Sequence, residues 1–188
     1  MRRFCAAVAA VVLTGCASGG VSSAPQKSTT MVSVPVGNGG DQGSVDMVIN
    51  SYNANAPVVS TLSARRDAVW SALDATYQAI GITVAMRDPA NWQMGNRNLQ
   101  VSRRLNGNSL SRYFNCGNTG MGAEIADSYR LTASVVSTVA EQGAGSRLET
   151  VAQAVARQQG TSSPPVNCAS TGQLEQEIAN RVARAVGG

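Results

Sequence analysis

The alternation that runs through residues 129–141 constrains the fold more than any other feature. Tyr129, Leu131, Ala133 and Val135 fall on one side of an extended chain, and Arg130, Thr132 and Ser134 on the other. A long strand with one apolar face needs neighbouring strands and a cover for that face. Two helices supply the cover. In residues 63–80, Val69, Trp70, Leu73, Tyr77 and Ile80 recur at intervals of three and four, with Ser63 placed as N-cap and Gly81 as C-terminal stop. Near the end, Leu174, Ile178, Val182 and Val186 form a second stripe, with Ser170 and Gln173 spaced as a capping box and Gly187 after it. At helical spacing, Trp70 and Tyr77 read as core rather than as a ligand platform.

The remaining strands follow from β-branched runs and turn residues. Val58-Val59-Ser60-Thr61-Leu62 reads as a first strand and residues 82–86 as another, before the turn-rich Arg87-Asp88-Pro89-Ala90-Asn91. Strands around 98–103 and 110–114 are joined through Asn106-Gly107-Asn108, and Gly143-Ala144-Gly145 turns the chain after the long strand. Residues 146–158 admit two readings. Leu148, Val151 and Val155 with a Ser146/Glu149 capping box fit a helix; a strand of matched length across the turn fits too and is favoured. The expected fold is α+β: an antiparallel curved sheet with two helices on one face, in one domain over residues 57–188.

The first sixteen residues have a different role. Arg2 and Arg3 precede the apolar run Phe4-Cys5-Ala6-Ala7-Val8-Ala9-Ala10-Val11-Val12-Leu13 and the small residues Thr14 and Gly15, which is the order of a secretory signal. The run is about half the roughly 20 residues that a membrane span needs. Leu13-Thr14-Gly15-Cys16 resembles the lipobox of bacterial lipoproteins. That resemblance implies removal of residues 1–15, a diacylglyceryl thioether on Cys16 and acylation of its new amine by a chain such as palmitate. Together these acyl chains make a lasting anchor. Ala17, rather than Asp, after the cysteine implies sorting to the outer membrane, with the domain facing the periplasm.

Cleavage changes two counts. The chain has 15 basic and 11 acidic residues, and loss of Arg2 and Arg3 leaves a net charge of +2. Nucleic acid is therefore not an expected partner. Of the four cysteines, Cys5 leaves with the signal and Cys16 is alkylated, so Cys116 and Cys168 remain and are expected to pair as a disulfide in an oxidising compartment. Residues 16–56, rich in Gly, Ser, Asn and Ala, read as a lipidated, disordered, flexible tether; about forty such residues span roughly 35 Å. Two patches in it, Met31-Val32-Ser33-Val34-Pro35-Val36 and Val45-Asp46-Met47-Val48-Ile49, have strand-like content. The order of elements is similar in outline to the helix-grip domains found in a lipoprotein of the outer-membrane β-barrel assembly machinery.

Histidine is absent from the sequence. This removes the Ser-His-Asp and Cys-His arrangements and the commonest general base at neutral pH. No cofactor motif is present, and two thiols without CxxC spacing do not make a metal site. Among the carboxylates, Glu124 and Asp127 beside the glycine-rich loop Cys116-Gly117-Asn118-Thr119-Gly120-Met121-Gly122 are the best placed for paired chemistry. Arg103, Arg104 and Arg112 are candidates for a basic patch on neighbouring strands, suited to lipid headgroups or an anionic glycan. Trp92 is either an exposed contact residue or a plug for the core. The expected function is that of a non-enzymatic envelope lipoprotein whose domain binds another envelope component. The rivals are a carboxylate-dependent enzyme acting on envelope glycans and a carrier of a small apolar ligand.

Overall fold

The structure is a computed structural model that describes residues 21–22, 27–36, 43–52 and 56–187. The signal and the lipobox with Cys16 lie outside the described residues. In chain order the strands are β1 (Val21–Ser22), β2 (Lys27–Val36), β3 (Gly43–Tyr52) and β4 (Val58–Leu62), followed by helix α1 (Arg66–Ala79). Then come β5 (Met86–Asp88), β6 (Gln93–Ser102), β7 (Arg104–Leu105), β8 (Asn108–Ser109), β9 (Phe114–Asn115) and the one-turn helix α2 (Ile125–Ser128). The chain finishes with β10 (Arg130–Gln142), β11 (Gly145–Arg157), β12 (Val166–Ser170) and α3 (Gln173–Val186).

The fold is α+β, as the alternation requires. The main sheet is antiparallel and runs β1-β4-β11-β10-β6-β5. β12 follows β4 along the same edge of β11, and β9 pairs with β12. β10 and β11 form the spine, in register from Arg130↔Arg157 to Gln142↔Gly145. Leu131, Ala133, Val135 and Val139 of β10 and Leu148, Ala152, Ala154 and Ala156 of β11 all turn to one face. Val69, Leu73 and Tyr77 of α1 and Leu174, Ile178 and Val182 of α3 close over that face in a single core. Burying each large apolar side chain there contributes about 1.5–3 kcal/mol. Within the stretch read as a tether, the two strand-like patches pair with each other as β2 and β3, and β1 pairs with β4.

Several local expectations are corrected. Residues 82–85 form no strand: the Ile82 N–H donates to the Tyr77 carbonyl at 2.8 Å, Gly81 turns left-handed at φ 78°, and only residues 86–88 pair with β6. Residues 110–112 make a 3₁₀ turn, held because Asp127 accepts from the Ser111 N–H at 2.9 Å and its hydroxyl at 2.6 Å. Neither expected cap is used. Arg65 stands at the α1 N-terminus without a side-chain cap, and Gly172 at φ 80° opens α3. Ser170 stays in β12, where its hydroxyl accepts from the Gly172 N–H at 3.0 Å. Residues 145–157 form the favoured strand, and only the turn before them differs from expectation: it has two residues, Gly143 and Ala144.

Candidate functional site

With both long helices on one face, the opposite face of the sheet carries the residues that alternate outward. Their register places them in rows across the strands. The first row joins Asp88, Gln93, Thr138 and Glu149; the second joins Met86, Gly95, Val136 and Val151. The third row is irregular. Pairing of β6 with β10 shifts between Ala133↔Leu99 and Val135↔Asn96, so Arg97 and Asn98 together oppose Ser134, which pairs with Gln153 on its other side. Gln100, Thr132, Val155 and Asn167 make the fourth row, and Ser102, Arg130 and Arg157 the fifth.

The irregularity is a β-bulge, and it has a local cause and a consequence. Asn96 turns inward, donating to the Thr83 carbonyl at 2.8 Å and accepting from the Asn98 N–H at 2.8 Å, which holds the extra residue. Bulges re-aim side chains. Here Arg97 is turned over the outer face, where its Nε lies 3.5 Å from the Met86 sulfur. It lines two adjoining hollows: one of about 460 Å³ with Thr132, Ser134, Gln153 and Asn167, the other of about 240 Å³ with Val136, Thr138, Glu149 and Val151. Together they make one groove along the sheet.

The charge on this face is uneven. Arg130 and Arg157 are direct partners on adjacent strands, and among the described residues neither they nor Arg97 make an ion pair. With its amide oriented oxygen-first, Gln159 accepts from Arg130 Nε and a terminal nitrogen at 3.0 and 3.2 Å, a neutral partner that leaves the charge in place. Carboxylates sit at the opposite end. Glu149 is bound to Arg147, and Asp88 accepts from the Asn91 side chain and from the Asn91 and Ala90 N–H groups, which hold its carboxyl below the ordinary range.

The arginines expected to form a patch lie elsewhere. Arg103 is the left-handed bend between β6 and β7, at φ 63°, Arg104 sits on the small β7–β8 hairpin and Arg112 in the 3₁₀ turn after it, all exposed but off the main sheet. Trp92 is half-buried at a left-handed position, φ 52°. Its ring meets Trp70 edge-on at 5.6 Å and lies 4.0 Å under the Arg66 guanidinium. The cleft beside it, about 360 Å³, is neutralised by the Arg66–Glu141 pair at 2.9 Å and the Arg65–Asp67 pair at 3.5 Å.

Glu124 and Asp127 do not converge. Glu124 is exposed and receives the Asn118 amide at 3.3 Å, whereas Asp127 is spent on Ser111. The glycine-rich loop is an ordered turn held by Thr119 N–H to Ala123 and Gly122 N–H to Thr119, each 2.8 Å, and by a disulfide between Cys116 and Cys168 at its base. Between α1 and the sheet, Tyr77, Leu73 and Val69 fill the space; the Tyr77 hydroxyl is bonded to Ser137 at 2.8 Å. Among the described residues no three His, Cys, Asp or Glu side chains gather as a metal site, and no helix is long and apolar enough to cross a membrane. Sequence reading misses Arg97, Arg130 and Arg157, which come together only through the register and the bulge. No protein-family model matches the chain, and no curated protein matches it.

Proposed function

We propose that the chain is an envelope lipoprotein, held in a membrane through acyl chains on Cys16, whose folded domain is a non-catalytic binding module for another envelope component. The observation that carries this reading is the groove on the outer sheet face. It is lined by hydroxyl, amide and guanidinium groups, and the one carboxylate among its lining residues, Glu149, is already paired with Arg147. Two features weigh against the rivals. Glu124 and Asp127 bond to different partners, Asn118 and Ser111, instead of facing one another, and Val69, Leu73 and Tyr77 fill the space where α1 meets the sheet.

The test is cross-linking in the native envelope from a photoreactive residue at Gln153, in the middle of the groove, read by mass spectrometry. Reproducible cross-links to one envelope component are expected; cross-links to none would refute the binding reading. The anchor has its own test. Cys16→Ser is expected to abolish lipid labelling and release the domain from the membrane fraction, and unchanged attachment would overturn the lipidation assignment.

A further inference from the structure

The groove has a direction. Of the rows on its sheet face, the first carries the carboxylates Asp88 and Glu149, already engaged, and the fifth, next along the strands from Thr132 and Val155 of the groove lining, carries Arg130 opposite Arg157. Like charges directly opposed across two strands are unfavourable, so a pair kept with no ion-pair partner among the described residues gains from an anion brought by a ligand. Arg97 lies in the third row, roughly 13 Å from the fifth at the ordinary rise of a strand. The guanidinium is the side chain suited to hold carboxylate or phosphate by paired hydrogen bonds.

We infer that this face binds an anionic glycan, an elongated sugar chain bearing carboxylate or phosphate groups, with Arg97 and the Arg130/Arg157 pair as its two anchoring points. The inference rests on the reading of the domain as a binding module and names its ligand class. Three observations favour a glycan over other anions. The ground between the anchors is Ser134, Gln153, Thr132 and Asn167, which exchange hydrogen bonds with sugar hydroxyls. Val136, Val151 and Val155 supply apolar contact for the C–H faces of the rings. A recessed groove in the face of a sheet also fits a narrow chain better than a flat bilayer surface. Without an aromatic platform in the groove, affinity depends on charge and falls with salt.

The probe is tetragalacturonate, titrated into the full chain and followed by backbone amide shifts in the nuclear magnetic resonance spectrum, with its carboxyl-reduced neutral counterpart as control. Shifts are expected at Arg97, Thr132, Ser134, Gln153 and Arg157. The neutral sugar is expected to bind at least about tenfold more weakly. Arg97→Gln and Arg157→Gln are each expected to weaken tetragalacturonate binding at least about fivefold, with the melting temperature kept in Arg97→Gln and not lowered in Arg157→Gln. Equal affinity for the neutral sugar, shifts confined to the Trp92 cleft, or tighter binding of poly-glutamate or of phosphatidylglycerol vesicles would each overturn the glycan assignment. Failure of the sugar with cross-links from Gln153 still reaching one protein would remove the glycan alone. Failure of both would remove the binding reading as well.

Discussion

Glu175 Oε1 on α3 accepts the backbone N–H of Ala152 in β11, 3.2 Å away, at the point where the edge of β11 away from β10 has no strand beside it. β4 leaves that edge at Thr150 and β12 arrives at Ala154, so the helix carboxyl fills a break in the ladder. Glu175 is 1 % exposed, and burial pushes its pKa above the ordinary carboxylate value. A folded-state pKa above the unfolded one means that the folded form holds the proton more tightly. Its contribution is complete below the unfolded value, near 4.5, and is lost as pH rises toward the folded value.

Glu175→Gln keeps an acceptor for Ala152 and removes the ionisation. The variant is expected to lose less stability than the parent as pH rises from about 4 to about 8 in urea melts, and identical pH profiles would contradict the assignment. Glu175→Leu leaves the Ala152 N–H unpaired and is expected to cost about 1–3 kcal/mol even at the acid end of that range.

The disulfide closes a separation of 52 residues, for which chain entropy predicts about 4 kcal/mol of stabilisation. A reductant is expected to lower the thermal midpoint of the parent and to leave that of Cys116→Ser/Cys168→Ser unchanged. A parent insensitive to full reduction would show that the β9–β12 ladder holds this corner without the bond.

Much of this architecture is legible in the sequence, and the exceptions have physical causes. β10, the buried faces of α1 and α3 and the cysteine pair follow from period, caps aside, and from counting. β11 is ambiguous in sequence because its inward positions include Ala152, Ala154 and Ala156, small residues that mark a face weakly, while Leu148, Val151 and Val155 happen to match helical spacing. β6 hides its period because the bulge at Arg97 and Asn98 shifts the phase of every later residue. Spacing alone misplaces the helix starts because caps are local, and the chain reaches α3 through a left-handed glycine instead. The binding face escapes the sequence for a related reason: its arginines are 27 to 60 positions apart in the chain and meet only across strands.

A buried polar chain links α1 to both central strands. The Tyr77 hydroxyl is bonded to Ser137 at 2.8 Å, and Ser137 to Thr150 at 2.7 Å, all three nearly inaccessible to solvent. Burial drives the Tyr77 phenol well above its ordinary pKa, so it stays protonated throughout the working range. Tyr77→Phe is expected to cost about 1–2 kcal/mol in denaturant melts. A double-mutant cycle with Ser137→Ala should recover part of that cost, since removing both hydroxyls leaves neither one stranded. Strict additivity would mean that the two groups are not coupled.

Gly95 of β6 packs against the backbone of β10, and a Cβ there would collide with the Val135 carbonyl oxygen. That contact is with backbone in the middle of the sheet, so it cannot be relieved by a rotamer change. Gly95→Ala is expected to destabilise by about 1–3 kcal/mol and to speed amide exchange along residues 93–99. An unchanged exchange pattern would indicate that the bulge two residues on absorbs the shift.

Arg130 and Arg157 give the outer face a prediction that needs no ligand. As direct cross-strand partners with no ion-pair partner among the described residues, they repel, and the repulsion is screened by salt. Arg157→Gln is therefore expected to raise stability by about 0.2–1 kcal/mol at low ionic strength, with the gain shrinking toward zero at about 1 M salt. A thermal midpoint that falls on substitution would mean that Arg157 is compensated within the chain. In that case the pair would no longer point to an external anion. A gain in stability together with weaker binding of the acidic oligosaccharide would identify the pair as charge kept for recognition at a cost to the fold.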